Sequence, residues 1–153
     1  MKLSAKEDIS APLDLVFAQV CEPDRLERTV RQRGGAIRRT PAGPLEKGTR
    51  WDARLAFRGA SQSVTFVLTT LDAPNIMRFR GTGASFDISV DVELVALGPA
   101  TTRLTVTTQG TPKTLPARIM AQSLKLAHGQ MLTRYQQRIS EYAAEIAKEG
   151  RLS

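Results

Sequence analysis

The chain has 153 residues, of which 41% are apolar, so it reads as one folded domain spanning residues 1–153 rather than a disordered segment. No run approaches the ~20 apolar residues of a membrane span, and the opening MKLSAKEDIS has no apolar signal region; the expectation is a soluble cytoplasmic protein. A formal charge of +7 points to anionic partners, while a single cysteine, Cys21, excludes an internal disulfide or a multi-cysteine metal site, and a single histidine, His128, argues against zinc.

In chain order, Leu3 to Ile9 reads as a first strand. It runs into DISAPLDLVFAQVCEPDRLERTV, residues 8–30, where one proline precedes a short apolar helix and a second precedes another. Pro12 suits the start of the first helix, and Pro23 ends one and starts the next. Proline fits a first helical turn and breaks an interior one. Val16, Phe17 and Val20 are then the inward-facing set. Arg25, Arg28, Arg31, Arg33, Arg38 and Arg39 form a basic cluster here, and GGAIRRT carries a second strand over Ile37 to Thr40.

From Trp51 the pattern becomes strict alternation. Trp51, Ala53, Leu55 and Phe57 alternate with polar residues, as do Phe86, Ile88, Val90, Val92 and Leu94. Such strands have one buried and one wet face. A type II′ turn at Gly59-Ala60 would pair Leu55 with Val64, Ala53 with Phe66 and Trp51 with Leu68. A turn at Ala73-Pro74 would pair Thr70 with Met77 and Leu68 with Phe79. Thr82-Gly83 would pair Phe79 with Phe86 and Met77 with Ile88, setting Arg78 opposite Asp87. Gly98-Pro99-Ala100 would pair Leu94 with Leu104 and Val92 with Val106. All four hairpins keep one apolar face, which makes a five-stranded antiparallel meander.

Pro116 opens a long helix. Met120, Leu124, Ala127, Met131, Tyr135, Ile139, Tyr142 and Ile146 recur at helical spacing as one stripe about seven turns long. It needs a broad surface, and the concave face of the meander supplies one. No Asp or Glu occurs from Leu94 to Ser140, while Lys113, Arg118, Lys125, Arg134 and Arg138 do, which gives a second basic field.

ISAPLDLVFAQVCEPDRLE, the strand-rich middle and the helix from Leu115 together resemble the START-like superfamily, also called birch-pollen-allergen-like, SRPBCC or polyketide cyclase/dehydrase. Ile9, Ala11, Pro12, Val16 and Phe17 look like its opening motif, and the resemblance covers nearly the whole chain. It implies an α+β helix-grip fold: a seven-stranded curved antiparallel sheet wrapped on a long C-terminal helix, with two short helices between strands 1 and 2. Those helices would prop the sheet off the long helix and leave a cavity. Similar proteins bind lipids, sterols, polyketides, plant hormones or quinones, and some cyclise or dehydrate polyketides. Fold alone does not choose among these.

The expected ligand-binding set is Trp51, Leu55, Phe66, Leu68, Phe79, Ile88, Val90, Leu124, His128, Met131 and Tyr135, with Glu7 as a polar pocket group sharing the parity of Leu3 and Ile9. His128 suits a ligand hydrogen bond or general acid–base work because imidazole titrates near neutrality; the plain alternative is a half-buried histidine on a backbone or water partner. Glu7 suits a carboxylate raised in pKa by apolar surroundings, or a strand residue reaching solvent or an arginine. Tyr135 could serve a ligand or a protein acceptor. Thr70 and Thr108 share the inward parity and read as ordinary strand residues. Gly129, inside the helix, would permit a bend or a close backbone approach. Cys21 reads as a small buried apolar residue. No Ser/His/Asp set assembles, and GTGASF at residues 81–86 lacks the Lys-Ser/Thr ending of a phosphate loop.

The favoured reading is a protein that binds a hydrophobic small molecule, lipid, polyketide or isoprenoid-like, between sheet and C-terminal helix, needing no cofactor or metal. The alternatives are a polyketide cyclase/dehydratase-type enzyme and a basic module for anionic membrane or nucleic acid. The sparse catalytic set favours a binder over an enzyme. Aromatics at 5% disfavour nucleic acid, since few remain for base stacking. Monomer and homodimer are both open.

Overall fold

The computed structural model describes residues 1–57 and 60–152. The strands are β1 (Lys2–Ile9), β2 (Ala36–Thr40), β3 (Arg50–Phe57), β4 (Ala60–Asp72), β5 (Ile76–Gly83), β6 (Phe86–Gly98) and β7 (Thr101–Pro112). They form one seven-stranded antiparallel curved sheet in the order β1-β7-β6-β5-β4-β3-β2. Helices α1 (Leu13–Val20) and α2 (Pro23–Gln32) lie between β1 and β2; α3 (Leu115–Lys125) and α4 (His128–Leu152) follow β7.

Local chemistry sets the two early breaks. Pro12 is the N-cap residue of α1, and Pro23 occupies the first turn of α2. Both positions tolerate a residue without an N–H. The buried Thr102 hydroxyl donates to the Ala11 carbonyl at 2.9 Å and fixes the corner between β1 and α1. Val16 and Val20 are 0% and 1% exposed, which sinks α1 into the core with Ile9, Leu68, Met77, Leu94 and Leu104.

The meander keeps the expected faces but not every expected register. The β6–β7 pairs Leu94 with Leu104 and Val92 with Val106 stand as read. Between β3 and β4, Trp51 pairs with Phe66 and Ala53 with Val64, two residues away from the pairing expected from a Gly59-Ala60 turn. That turn falls in part outside the described residues. Between β5 and β6, Phe79 pairs with Val90 and Met77 with Val92, a slip of four. Arg78 therefore faces Asp91, at 4.0 Å, and Asp87 takes Lys113 at 3.1 Å. Even-numbered slips preserve parity, so the buried face survives them. An odd irregularity does not. A bulge between Leu68 and Thr70 pairs Thr70 with Arg78, and Leu71, not Thr70, meets Met77.

The expected single helix from Pro116 is two helices. The Thr114 hydroxyl accepts from Ala117 N at 3.2 Å and caps α3. At its far end Leu126 N donates to Ser123 O at 3.3 Å and Ala127 N to Leu124 O at 3.0 Å. These i→i−3 bonds tighten the turn, and the i→i−4 pattern resumes with Met131 N on Ala127 O at 3.0 Å. The long helix thus begins at His128. Gly129 makes no close approach, since a Cβ there would meet nothing within 4 Å. α4 packs on β1 and α1, burying Ala143 and Ile146 at 5% and 0% exposure.

Candidate ligand-binding cleft

Sheet, α2 and α4 enclose a cleft of about 520 Å³. Its floor is apolar, made of Trp51, Phe66, Phe79, Val90, Val92 and Val106 from β3 to β7. Parity explains the set, since all six are on the inward side of their strands. The Trp51 and Phe79 rings meet at 5.7 Å between centroids with a 53° tilt, a favourable aromatic geometry. Phe66 lies against Gly81 on the neighbouring strand: a Cβ at Gly81 would sit 2.7 Å from Phe66 Cε1. Glycine is therefore required there for the ring to lie across β5.

The walls carry polar groups beside the apolar Leu26 of α2 and Ile139 of α4. α2 contributes Arg25, Thr29, Gln32 and, at its C-cap, Arg33; α4 contributes Tyr135, Arg138, Glu141, Tyr142 and Glu145. Two ion pairs hold the α2 wall. Glu27, 4% exposed, pairs with Arg39 of β2. Arg25 donates to Glu145 at 3.2 Å and to Gln19 at 2.9 Å, tying α2 to α4 and α1. The Tyr135 hydroxyl donates to Val106 O at 3.1 Å and lies 3.0 Å from Thr108 Oγ1. Burial raises the pKa of Tyr135 and, more strongly, that of Tyr142, so both stay neutral donors near neutrality. Partial burial lowers the Arg138 pKa, and the charges of Arg33 and Arg134 lower it further, while Glu141 opposes them.

No protein-family model and no curated protein sequence matches the chain. Solved structures do. A protein of Thermus thermophilus superimposes with a TM-score of 0.69 at 15% identity, covering 97% of this chain and 99% of that one. The Zhui aromatase/cyclase of Streptomyces sp. R1128 gives 0.68 at 13% identity, covering 99% and 93%. Ara h 8.0201 gives 0.58 at 14% identity, covering 95% and 98%. The protein has the START-like helix-grip fold.

In this cleft Trp51, Phe66, Phe79, Val90 and Tyr135 are lining residues. Leu68 is 0% exposed and belongs to the core beneath. Leu55, Ile88, Leu124 and Met131 are half-buried off the cleft. The Leu124 and Met131 positions flank the break after α3, which takes that part of the helical stripe away from the floor. His128 is exposed, its Nε2 3.4 Å from the Lys2 carbonyl oxygen, and does not reach the cleft. Glu7 has the inward parity of Ala5 and Ile9 and is half-buried on β1, the strand on which α4 packs, and does not line the cleft. Cys21 is half-buried, its thiol donating to Met77 Sδ at 3.7 Å, and burial pushes its pKa up to about 11.

Sequence reasoning placed Arg25, Arg33, Arg39 and Arg138 only in basic clusters and Tyr142 only in a core stripe. A signal existed. Tyr135, Arg138, Tyr142 and Glu145 are spaced as one helix face, and Arg39 shares inward strand parity with Ile37, an unusual place for an unpaired charge.

Proposed function

We propose that the chain acts as one START-like domain that binds a hydrophobic small molecule, of lipid, polyketide or isoprenoid-like character, in the cleft. The observation that carries this is the cleft itself: about 520 Å³, floored by aromatic and aliphatic side chains and walled by a few polar groups. That combination is what small-molecule sites generally present. Trp51, Phe66 and Phe79 line the space instead of filling it. A cyclase-type enzyme, suggested by the Streptomyces aromatase/cyclase of like fold, would need convergent acid–base groups. His128 and Glu7 lie off the cleft, and the Tyr135 hydroxyl already serves Val106 and Thr108, so binding is the reading we favour. Native mass spectrometry of protein freshly purified from its own host tests it. An added mass of a few hundred daltons (order of magnitude for a drug-sized ligand), lost on denaturation, supports a carried ligand. A bare mass from every preparation counts against it.

A second reading, docking on an anionic membrane, has its own observation. On α3 and its cap, Leu115, Ile119 and Leu126 are 69%, 58% and 94% exposed. Their spacing puts them on one stripe with Arg118 and Lys125 beside it. An amphipathic helix with basic flanks suits an anionic interface. Among the described residues no helix is long and apolar enough to cross a membrane, so contact would be peripheral. Co-sedimentation with phosphatidylglycerol vesicles, absent with pure phosphatidylcholine and lost in an Ile119→Ser/Leu126→Ser variant, is the expected result. Equal sedimentation of variant and wild type would remove the reading.

A further inference from the structure

The mouth of the cleft holds an arrangement that a purely apolar ligand leaves unexplained. Arg33, at the end of α2, and Arg138, on α4, stand on opposite walls, and both are exposed while lining the same space. Among the described residues neither guanidinium takes part in a salt bridge or side-chain hydrogen bond, whereas the third arginine lining the cleft, Arg25, is paired with Glu145. Glu141 lines the cleft too and its charge partly offsets theirs at Arg138, but it makes no direct ion pair with either, and Glu145 is engaged by Arg25. Two like charges facing one another across a gap repel, and an anion between them relieves that.

Guanidinium groups match planar acid groups, which accept parallel N–H bonds from them.

Resting on the ligand-binding reading above, we infer that the ligand is an amphipathic organic acid, its apolar body on the Trp51–Phe79 floor and its single carboxylate held at the mouth between Arg33 and Arg138. A neutral hydrophobe of the same shape leaves the arginine pair unrelieved and binds less tightly. Because both arginines are partly solvated, the preference is moderate and falls with salt.

A matched pair of fluorescent probes tests this: N-phenyl-1-naphthylamine, which is neutral, and 8-anilinonaphthalene-1-sulfonate, the same skeleton with an anionic group standing in for the carboxylate. The sulfonate is expected to bind the wild-type protein about tenfold more tightly, the size of one charge-assisted contact pair. An Arg33→Gln/Arg138→Gln variant is expected to abolish that preference while the neutral probe still binds within about twofold of wild type, which also reports a folded cleft. Arg80→Gln, exposed on β5 and off the cleft, is expected to leave the preference intact. Equal affinity for the two probes, or a preference that survives in the double variant, overturns the organic-acid inference and leaves the cleft reading standing. Binding of neither probe overturns the cleft reading and the inference with it.

Discussion

The two ends of the C-terminal helical segment have opposite fates. At one end Ala143 and Ile146 are 5% and 0% exposed against β1 and α1. At the other, Leu115, Ile119 and Met120 of α3 are 69%, 58% and 43% exposed. Side-chain chemistry is similar at both ends, so hydrophobicity alone does not decide burial. An opposing surface does: β1 and α1 cover the last turns, while the i→i−3 bonds at Leu126 and Ala127 separate α3 from that geometry. The cleft lies between these regimes, where α4 still faces the sheet but α2 holds it off. One end supplies stability and leaves the other free to make contacts.

That contrast can be broken most directly by truncation. Ile146→Ala should cost about 2–5 kcal/mol, the range for a large side chain removed from a closed core, read as a lower urea midpoint at unchanged slope. Ile119→Ser, on the exposed face, should shift stability by less than about 0.5 kcal/mol. Similar losses at both sites would abolish the distinction. Next in size is the α2 wall. Glu27→Ala strands the Arg39 guanidinium, whose side chain is 16% exposed, and should cost about 3 kcal/mol. A Glu27→Ala/Arg39→Met double variant should recover most of it, because the penalty belongs to the unpaired charge. No recovery would mean that α2 is held by packing instead. Smaller again, Tyr135→Phe removes a hydroxyl bonded to Val106 and Thr108 and should cost about 1 kcal/mol. A measurably larger loss would give Tyr135 a greater share of the sheet–helix contact.

How far these features were legible follows from what each pattern encodes. Alternation encodes parity, so the inward sides of Trp51, Phe66, Phe79 and Val90 were readable even where β3–β4 slipped by two residues and β5–β6 by four. Register is weakly specified when shifted pairs remain apolar on apolar. Arg78 consequently acquired Asp91 in place of Asp87. Thr70 lost its expected place to Leu71 because a one-residue bulge leaves no mark in composition. The break at Leu126–Ala127 involves neither proline nor glycine, and a continuous apolar stripe hid it. The arginine mouth was hardest, because Arg33 and Arg138 come from separate elements and each alone looks like part of a solvated helix face.

The smallest expected effect concerns Cys21, beside Met77 at the sealed end. Burial raises its thiol from 9.0 to about 11. The protonated form is the one that the folded state favours, so its contribution is fully present below pH 9 and fades as pH climbs from there through about 11, the unfolded chain ionising first. Tyr142, also raised by burial, adds to the same loss from about pH 10 upward, the ordinary phenol value. Stability should therefore be flat in these groups from about pH 7 to 8.5 and decline above about pH 9. At about pH 8 a thiol reagent should label Cys21 slowly in buffer and rapidly in urea, since the thiolate is the nucleophile. Equal labelling rates would mean that the α1 end opens as readily as α3 is exposed, and the contrast between the two regions would fail at its sealed end.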